Sequence, residues 1–118
     1  MYGVYSVSIG GGMGGFNADI PYQNFHTMAI KTDDSLWAWG SNNRGQLGDG
    51  TNYDRLAPVK IMDNAVAVSA GRRHTLAVCI QGIVWAWGAN QYGQLGDGST
   101  EDKNFPVQVI FDSRLNYP

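Results

Sequence analysis

Sliding the sequence against itself by 48 residues lays one part of the chain over another. His26 falls on His74, Trp37 on Trp85, Trp39 on Trp87, Gly40 on Gly88, Gln46 on Gln94, Asp49 on Asp97 and Pro58 on Pro106. From residue 26 to residue 60 no gap is needed, and 17 of 35 positions are identical. A unit written twice folds as one supersecondary element formed twice, with stacked neighbours sharing a core. The repeat phase divides the chain into a leading segment, 1–25, and two units, 26–73 and 74–118.

Within the unit, "AVAVSAG" (65–71) alternates with period two, "HTLAVC" (74–79) follows, and Gln81-Gly82 forms a turn before "IVWAWG" (83–88). These segments predict three short strands with tight connections. Trp85 and Trp87 fall on one face of their strand, and Val84 and Ala86 on the other. "NQYGQLGDG" is too rich in turn formers to be a strand or a helix. "PVQVI" (106–110) predicts a fourth strand opening on a proline, where a missing N–H is tolerated. The expected fold is all-β, made of four-stranded antiparallel blades of a partial β-propeller. About two to two and a half blades would be present, open unless oligomerised.

The leading segment breaks the spacing. At offset 48, Pro21-Tyr22-Gln23 aligns with Ser69-Ala70-Gly71 and lacks its pattern. "VSIGG" (7–11) does match "VSAGR" (68–72), but at offset 61, which requires 13 extra residues before His26. The first strand is therefore either degenerate or the remnant of a truncated neighbouring repeat.

"HTMAIKTDDSLWAWGSNNRGQLGDGT" (26–51) and "SAGRRHTLAVCIQGIVWAWGANQYGQLGDGS" (69–99) closely resemble the regulator of chromosome condensation repeat. Its marks are a Ser-Ala-Gly-x-x-His-Thr opening, a Trp-Gly-x-Asn core and a Gly-Gln-Leu-Gly exit. The wording "LWAWG" and "QLGDGT" resembles bacterial members. The resemblance implies a propeller that serves as a protein-interaction platform. Relatives' roles include guanine-nucleotide exchange on a small GTPase and inhibition of beta-lactamases.

Composition narrows the function. Glycine is frequent, at 16 residues, and the formal net charge is only −2. No basic stripe is present to neutralise phosphates, so no nucleic-acid partner is expected. No apolar run reaches membrane-spanning length, and no signal peptide opens this chain, so neither a membrane partner nor a compartment is indicated. Cys79, the single cysteine, reads as a small buried hydrophobe.

Several motifs imitate chemistry. Gly10, Gly12 and Gly15 satisfy G-x-G-x-x-G, but Pro21 and the lack of a helical period follow, so a flexible loop is expected there. Asp49 and Asp97, with Asp54 and Asp102 five residues on, lack calcium-loop spacing and read as turn residues. His26 and His74 are one position in two copies, which points to a structural task such as a bond to a loop carbonyl. By the same logic Trp37, Trp39, Gly40, Gln46, Leu47 and Gly48, with Trp85, Trp87, Gly88, Gln94, Leu95 and Gly96, hold the blades. No catalytic residue, cofactor or metal site is predicted.

Function is then expected where the copies differ on exposed loops. Those positions are Asn43 and Arg44 against Gln91 and Tyr92, Tyr53, Arg55 and Leu56 against Glu101, Lys103 and Asn104, and the pair Arg72-Arg73. Tyr and Arg are enriched in binding hot spots. The leading expectation is a non-enzymatic scaffold contacting a protein partner through these loops. The alternatives are a structural module that closes a ring by homo-oligomerisation and, by family analogy, a nucleotide-exchange factor.

Overall fold

The computed structural model describes residues 3–11 and 25–111. Its strands are β1 (Val4–Gly11), β2 (Phe25–Lys31), β3 (Leu36–Gly40), β4 (Arg55–Met62), β5 (Ala65–Ala70), β6 (His74–Cys79), β7 (Val84–Gly88) and β8 (Lys103–Gln108). They form two four-stranded antiparallel meanders, β1-β2-β3-β4 and β5-β6-β7-β8. Alternation in sequence becomes alternation in burial, as in β6, where every second residue is buried. The expected Gln81-Gly82 turn closes β6 onto β7, with the Gly82 N–H donating to the Cys79 carbonyl at 2.8 Å. Gly82 has φ +83°, a value glycine adopts without a Cβ penalty.

β1 resolves the irregular spacing of the leading segment. Val7 pairs with Ala29 in the first sheet, and Val68 pairs with Ala77 in the second. Ala29 and Ala77 are 48 apart while Val7 and Val68 are 61 apart, so "VSIGG" is the structural counterpart of "VSAGR". The difference in spacing falls between β1 and β2, at 12–24, outside the described residues. The sheets divide at Asp63-Asn64, out of phase with a repeat counted from His74, because β5 precedes that histidine yet belongs to the second sheet.

Two local expectations need correction. The fourth strand runs Lys103–Gln108, so Pro106 lies inside it rather than at its start. Pro58 lies inside β4 in the same way. Each proline falls where the ladder to β3 or β7 is irregular, on the last strand of its sheet, so a missing N–H breaks no regular pairing. Gly10 belongs to β1 and not to a loop; a Cβ there would come within 1.9 Å of the Gly71 carbonyl oxygen. Gly10 thus lets β1 pass close to the end of β5, at Ala70-Gly71. Gly12 and Gly15 lie outside the described residues.

The sheets stack face to face. Met28, Ile30, Leu36, Ala38 and Leu47 of the first meet Ala65, Ala77 and Trp87 of the second, all fully buried. Burying a side chain of this size contributes about 1.5–3 kcal/mol, which makes the shared face the main cohesive element. The tryptophans do not share one environment. Trp87 is fully buried between the sheets, whereas Trp37, Trp39 and Trp85 are half-buried. Cys79 is buried, with 6% of its surface exposed.

Candidate functional site

The β2–β3 and β6–β7 turns lie at one end of the sheets. The β5–β6 connection and the long β3–β4 and β7–β8 loops lie at the other. Each long loop is organised by a buried asparagine, Asn42 or Asn90. The Asn42 side-chain amide donates to Asp49 Oδ1 and to the carbonyls of Thr51 and Tyr53. Its Oδ1 accepts the Leu47 N–H at 2.9 Å. Asn90 repeats the pattern with Asp97, Ser99, Glu101 and Leu95. The Trp-Gly-x-Asn pattern signals this asparagine in both copies.

The four aspartates hold the loops from within. Asp54 and Asp102 accept the backbone N–H of Asn42 and Asn90, each at 2.8 Å. Burial pushes the Asp49 carboxyl up, but bonds from Thr51 and Arg55 outweigh it and leave it below the usual carboxylate range. Asp97 is likewise lowered overall, burial being outweighed by Ser99, Asn90 and the charge of Lys103. Asp49 and Asp97 are committed to hydrogen bonds within their own loops, as turn residues should be.

Several of the variable loop positions prove to have structural partners. Arg55 pairs with Asp49 at 2.7 Å, and Lys103 with Asp97 at 3.7 Å, so one ion pair is kept with a changed cation. Lys103 also lies 4.0 Å from exposed Glu101. Arg44 crosses between sheets, donating to Asp102 at 2.6 Å and to the Gln91 side-chain carbonyl. That contact holds the Asp102 carboxyl below its usual range. Asn43 accepts from the Gln46 side-chain amide, while Oε1 of Gln46 and of Gln94 accepts the backbone N–H of Arg44 and of Tyr92. The interchanged residues Leu56 and Asn104 diverge, since Leu56 is fully exposed and Asn104 bonds Asn52 across the sheets.

His26 is fully buried where the sheets meet. Its Nε2 lies 3.0 Å from Thr75 Oγ1, and that hydroxyl donates to the Gln46 carbonyl at 2.7 Å. Thr75 has one proton and gives it to Gln46, so His26 must be the Nε2–H donor. The expected loop carbonyl is therefore reached through a hydroxyl and not directly. Burial lowers the His26 pKa to about 4, keeping it neutral at physiological pH. His74, its counterpart, is only partly buried and is shifted in the same direction by burial.

The loop end of the second sheet carries an open cleft of about 470 Å³. Arg44, Arg72, Arg73, Gln91 and Tyr92 border it, and His74, Ala89 and Gln94 complete its lining. Five of the twelve variable loop positions thus converge on one place. Asn43, Tyr53, Arg55, Glu101 and Lys103 do not line it. Tyr92 is 84% exposed at its edge.

The comparisons agree with this architecture. The model for the regulator of chromosome condensation (RCC1) repeat matches residues 33–78 and 81–116, and a second model of that repeat matches 65–94. The ultraviolet-B receptor UVR8 of Arabidopsis thaliana is 47% identical over 52 residues, covering 41% of this chain and 12% of the receptor. Human RCC2 is 40% identical over 47 residues, covering 38% of this chain and 9% of that protein. These relatives are eukaryotic, so they lend no support to a bacterial origin for the repeat wording. Among solved structures, human WBSCR16 superposes with a TM-score of 0.72 at 22% identity, covering 92% of this chain and 26% of its own. Prp20p of Saccharomyces cerevisiae gives 0.72 at 19% identity, covering 93% and 26%. The chain therefore spans about a tenth of these curated relatives and about a quarter of these structures. The fold is a partial β-propeller of two four-stranded blades, and the chain belongs to the regulator of chromosome condensation repeat family.

Proposed function

We propose that the chain is a non-enzymatic protein-binding scaffold whose partner docks at the loop end of the second blade, against Arg72, Arg73 and Tyr92. The observation that carries this reading is the convergence of these residues with Arg44 and Gln91 on one open cleft. Arginines beside an exposed tyrosine suit a partner segment with a carboxylate next to an apolar side chain. Arg44 pairs with Asp102 in the wall of the cleft, and Arg72, Arg73 and Tyr92 border its opening. Arg55 and Lys103 stiffen the loops through their ion pairs with Asp49 and Asp97.

Family analogy supports a protein partner. The yeast structure is described with binding to Gsp1p and histones, and another shows Kap60 bound to Prp20. Those partners belong to those proteins. His26 is committed to the blade interface and the repeated aspartates to the loops, which supports a scaffold over an enzyme.

A photo-crosslinking residue introduced at Tyr92 or Arg73 tests the reading in cells, with Gln81 at the opposite blade end as control. Recurrent capture of one protein from the loop end, lost in the Arg72→Ala/Arg73→Ala variant, is the expected result. Equal capture from Gln81 would overturn it.

A further inference from the structure

Between residues 26 and 60, the longest run of differences from the second copy is 30–36 against 78–84, at the β2–β3 and β6–β7 turns. Lys31-Thr32-Asp33-Asp34-Ser35 of the first blade becomes Cys79-Ile80-Gln81-Gly82-Ile83 in the second, while the tryptophan beyond is kept as Trp37 and Trp85. In the first blade these residues serve the tryptophan. The Ser35 hydroxyl accepts the Trp37 indole N–H at 2.8 Å, and the Lys31 ammonium lies over the ring, 5.3 Å from its centroid. An ammonium at that distance is drawn to the negative face of the π-system. In the second blade Cys79 stands for Lys31 and Ile83 for Ser35, so the ring is kept without its ammonium.

Beside Trp85 there is an open cleft of about 410 Å³. Met62, Asp63 and Asn64, where the first blade passes into the second, line it on one side, and Cys79, Ile83 and Trp85 line it on the other. Both walls come from this chain, so the cleft does not depend on a blade before or after it. Trp85 is half-buried. Asp63 brings negative charge to the rim; its side chain is 64% exposed and pairs with Lys60 at 2.7 Å. An exposed pair of this kind contributes little, so the carboxylate can be shared with a second cation. An aromatic ring, an apolar lining and a carboxylate in a cleft of this size are features of a small-molecule site.

We propose that this cleft binds a small alkylammonium ligand, a primary amine on a short aliphatic chain. Its ammonium sits over the Trp85 ring as Lys31 sits over Trp37, with Asp63 as counter-ion and the aliphatic chain against Met62 and Ile83. The first blade fills this place with its own lysine; the second keeps the ring and leaves the place to a ligand. The cleft lies at the turn end, opposite the surface bordered by Arg72 and Arg73, so this inference stands apart from the partner-binding reading.

Butylammonium chloride titrated into the isotope-labelled chain, and followed by NMR, tests the site. Saturable shifts are expected at the Trp85 indole N–H and at the amides of Cys79, Gln81 and Ile83, with Trp37 unmoved and sodium chloride giving none. Butanol, the neutral analogue, should bind about 3- to 30-fold more weakly, the range of a cation–π contact. Asp63→Asn should weaken butylammonium about 2- to 5-fold and leave butanol unchanged. Cys79→Lys should place a tethered ammonium over Trp85 and abolish binding, with circular dichroism verifying its fold. Butanol binding as tightly as butylammonium overturns the proposal, because the cleft is then merely apolar. So does the absence of a saturable shift at Trp85, or a folded Cys79→Lys variant that binds as the wild type does. A lysine-rich peptide that binds more than about tenfold tighter than butylammonium assigns the cleft to a protein segment and overturns the small-molecule reading. Arg72→Ala/Arg73→Ala should remove partner capture while leaving butylammonium binding unchanged, which separates the two readings.

Discussion

His26 and Thr75 meet across the blade interface at 3.0 Å, and the threonine hydroxyl passes the contact on to the Gln46 carbonyl. One side chain from each blade and one loop carbonyl are therefore locked in a single chain of hydrogen bonds. The His26 ring is fully buried, and its Nδ1 has no partner among the described residues. Burial therefore favours the neutral form of this histidine and lowers its pKa to about 4.

Acid should loosen the blades before it affects the carboxylates. The folded His26 pKa of about 4 lies below the ordinary value of 6.5, so the unfolded state binds the proton first. Its contribution is complete above pH 6.5 and is lost as pH falls towards 4, with a full cost on the order of 3 kcal/mol. Burial shifts His74 in the same direction, adding a loss of the same sign. Denaturant melts at pH 7.5 and pH 5 should show the drop. His26→Gln should be less stable at neutral pH but should lose less on acidification.

Thr75→Val keeps the shape but leaves the His26 N–H and the Gln46 carbonyl unpaired. A buried unsatisfied group costs about 1–3 kcal/mol. Thr27→Val, on the half-exposed counterpart position, should change monomer stability by less than about 0.5 kcal/mol. Equal effects in dilute urea titrations would show that burial at the interface is not what distinguishes them.

Asn42→Asp should be more damaging than its isosteric size suggests. The amide donates to Asp49 and to the Thr51 and Tyr53 carbonyls, and a carboxylate would face those same acceptors with no proton to offer. A loss of about 2–4 kcal/mol is expected at neutral pH. Faster amide exchange at Leu47, whose N–H is held by Asn42, would locate it.

Gly48→Ala and Gly50→Ala separate backbone from packing. Both glycines have φ +84°, but only at Gly48 would a Cβ strike the Trp87 ring, at 2.7 Å from Nε1. Gly50 meets nothing within 4 Å. Both substitutions should incur a backbone cost of about 1 kcal/mol. Gly48→Ala should add about 1–3 kcal/mol from overpacking and shift the tryptophan emission. Denaturation curves of the two variants check the difference.

The sequence by itself determined the blade. The 48-residue repeat, the period-two segments, the Gln81-Gly82 turn and the turn chemistry of "GQLGDG" are local, and each acts through short-range sterics and hydrogen bonds. The strand at 7–11 was visible as a match at offset 61, yet only its pairing with β2 shows that it leads the first sheet. Strand pairing is a long-range event that spacing alone does not fix. The same limit governs the loops. Arg44 differs from Tyr92 because it bridges to Asp102, 58 residues away, while Arg55 and Lys103 differ in name but make the same ion pair. Tertiary structure also decided which histidine and which tryptophan are buried. His26 and Trp87 have the same local sequence as His74 and Trp39, but only the first pair lies between the two sheets. A repeat encodes equal faces; burial depends on what is stacked against each face.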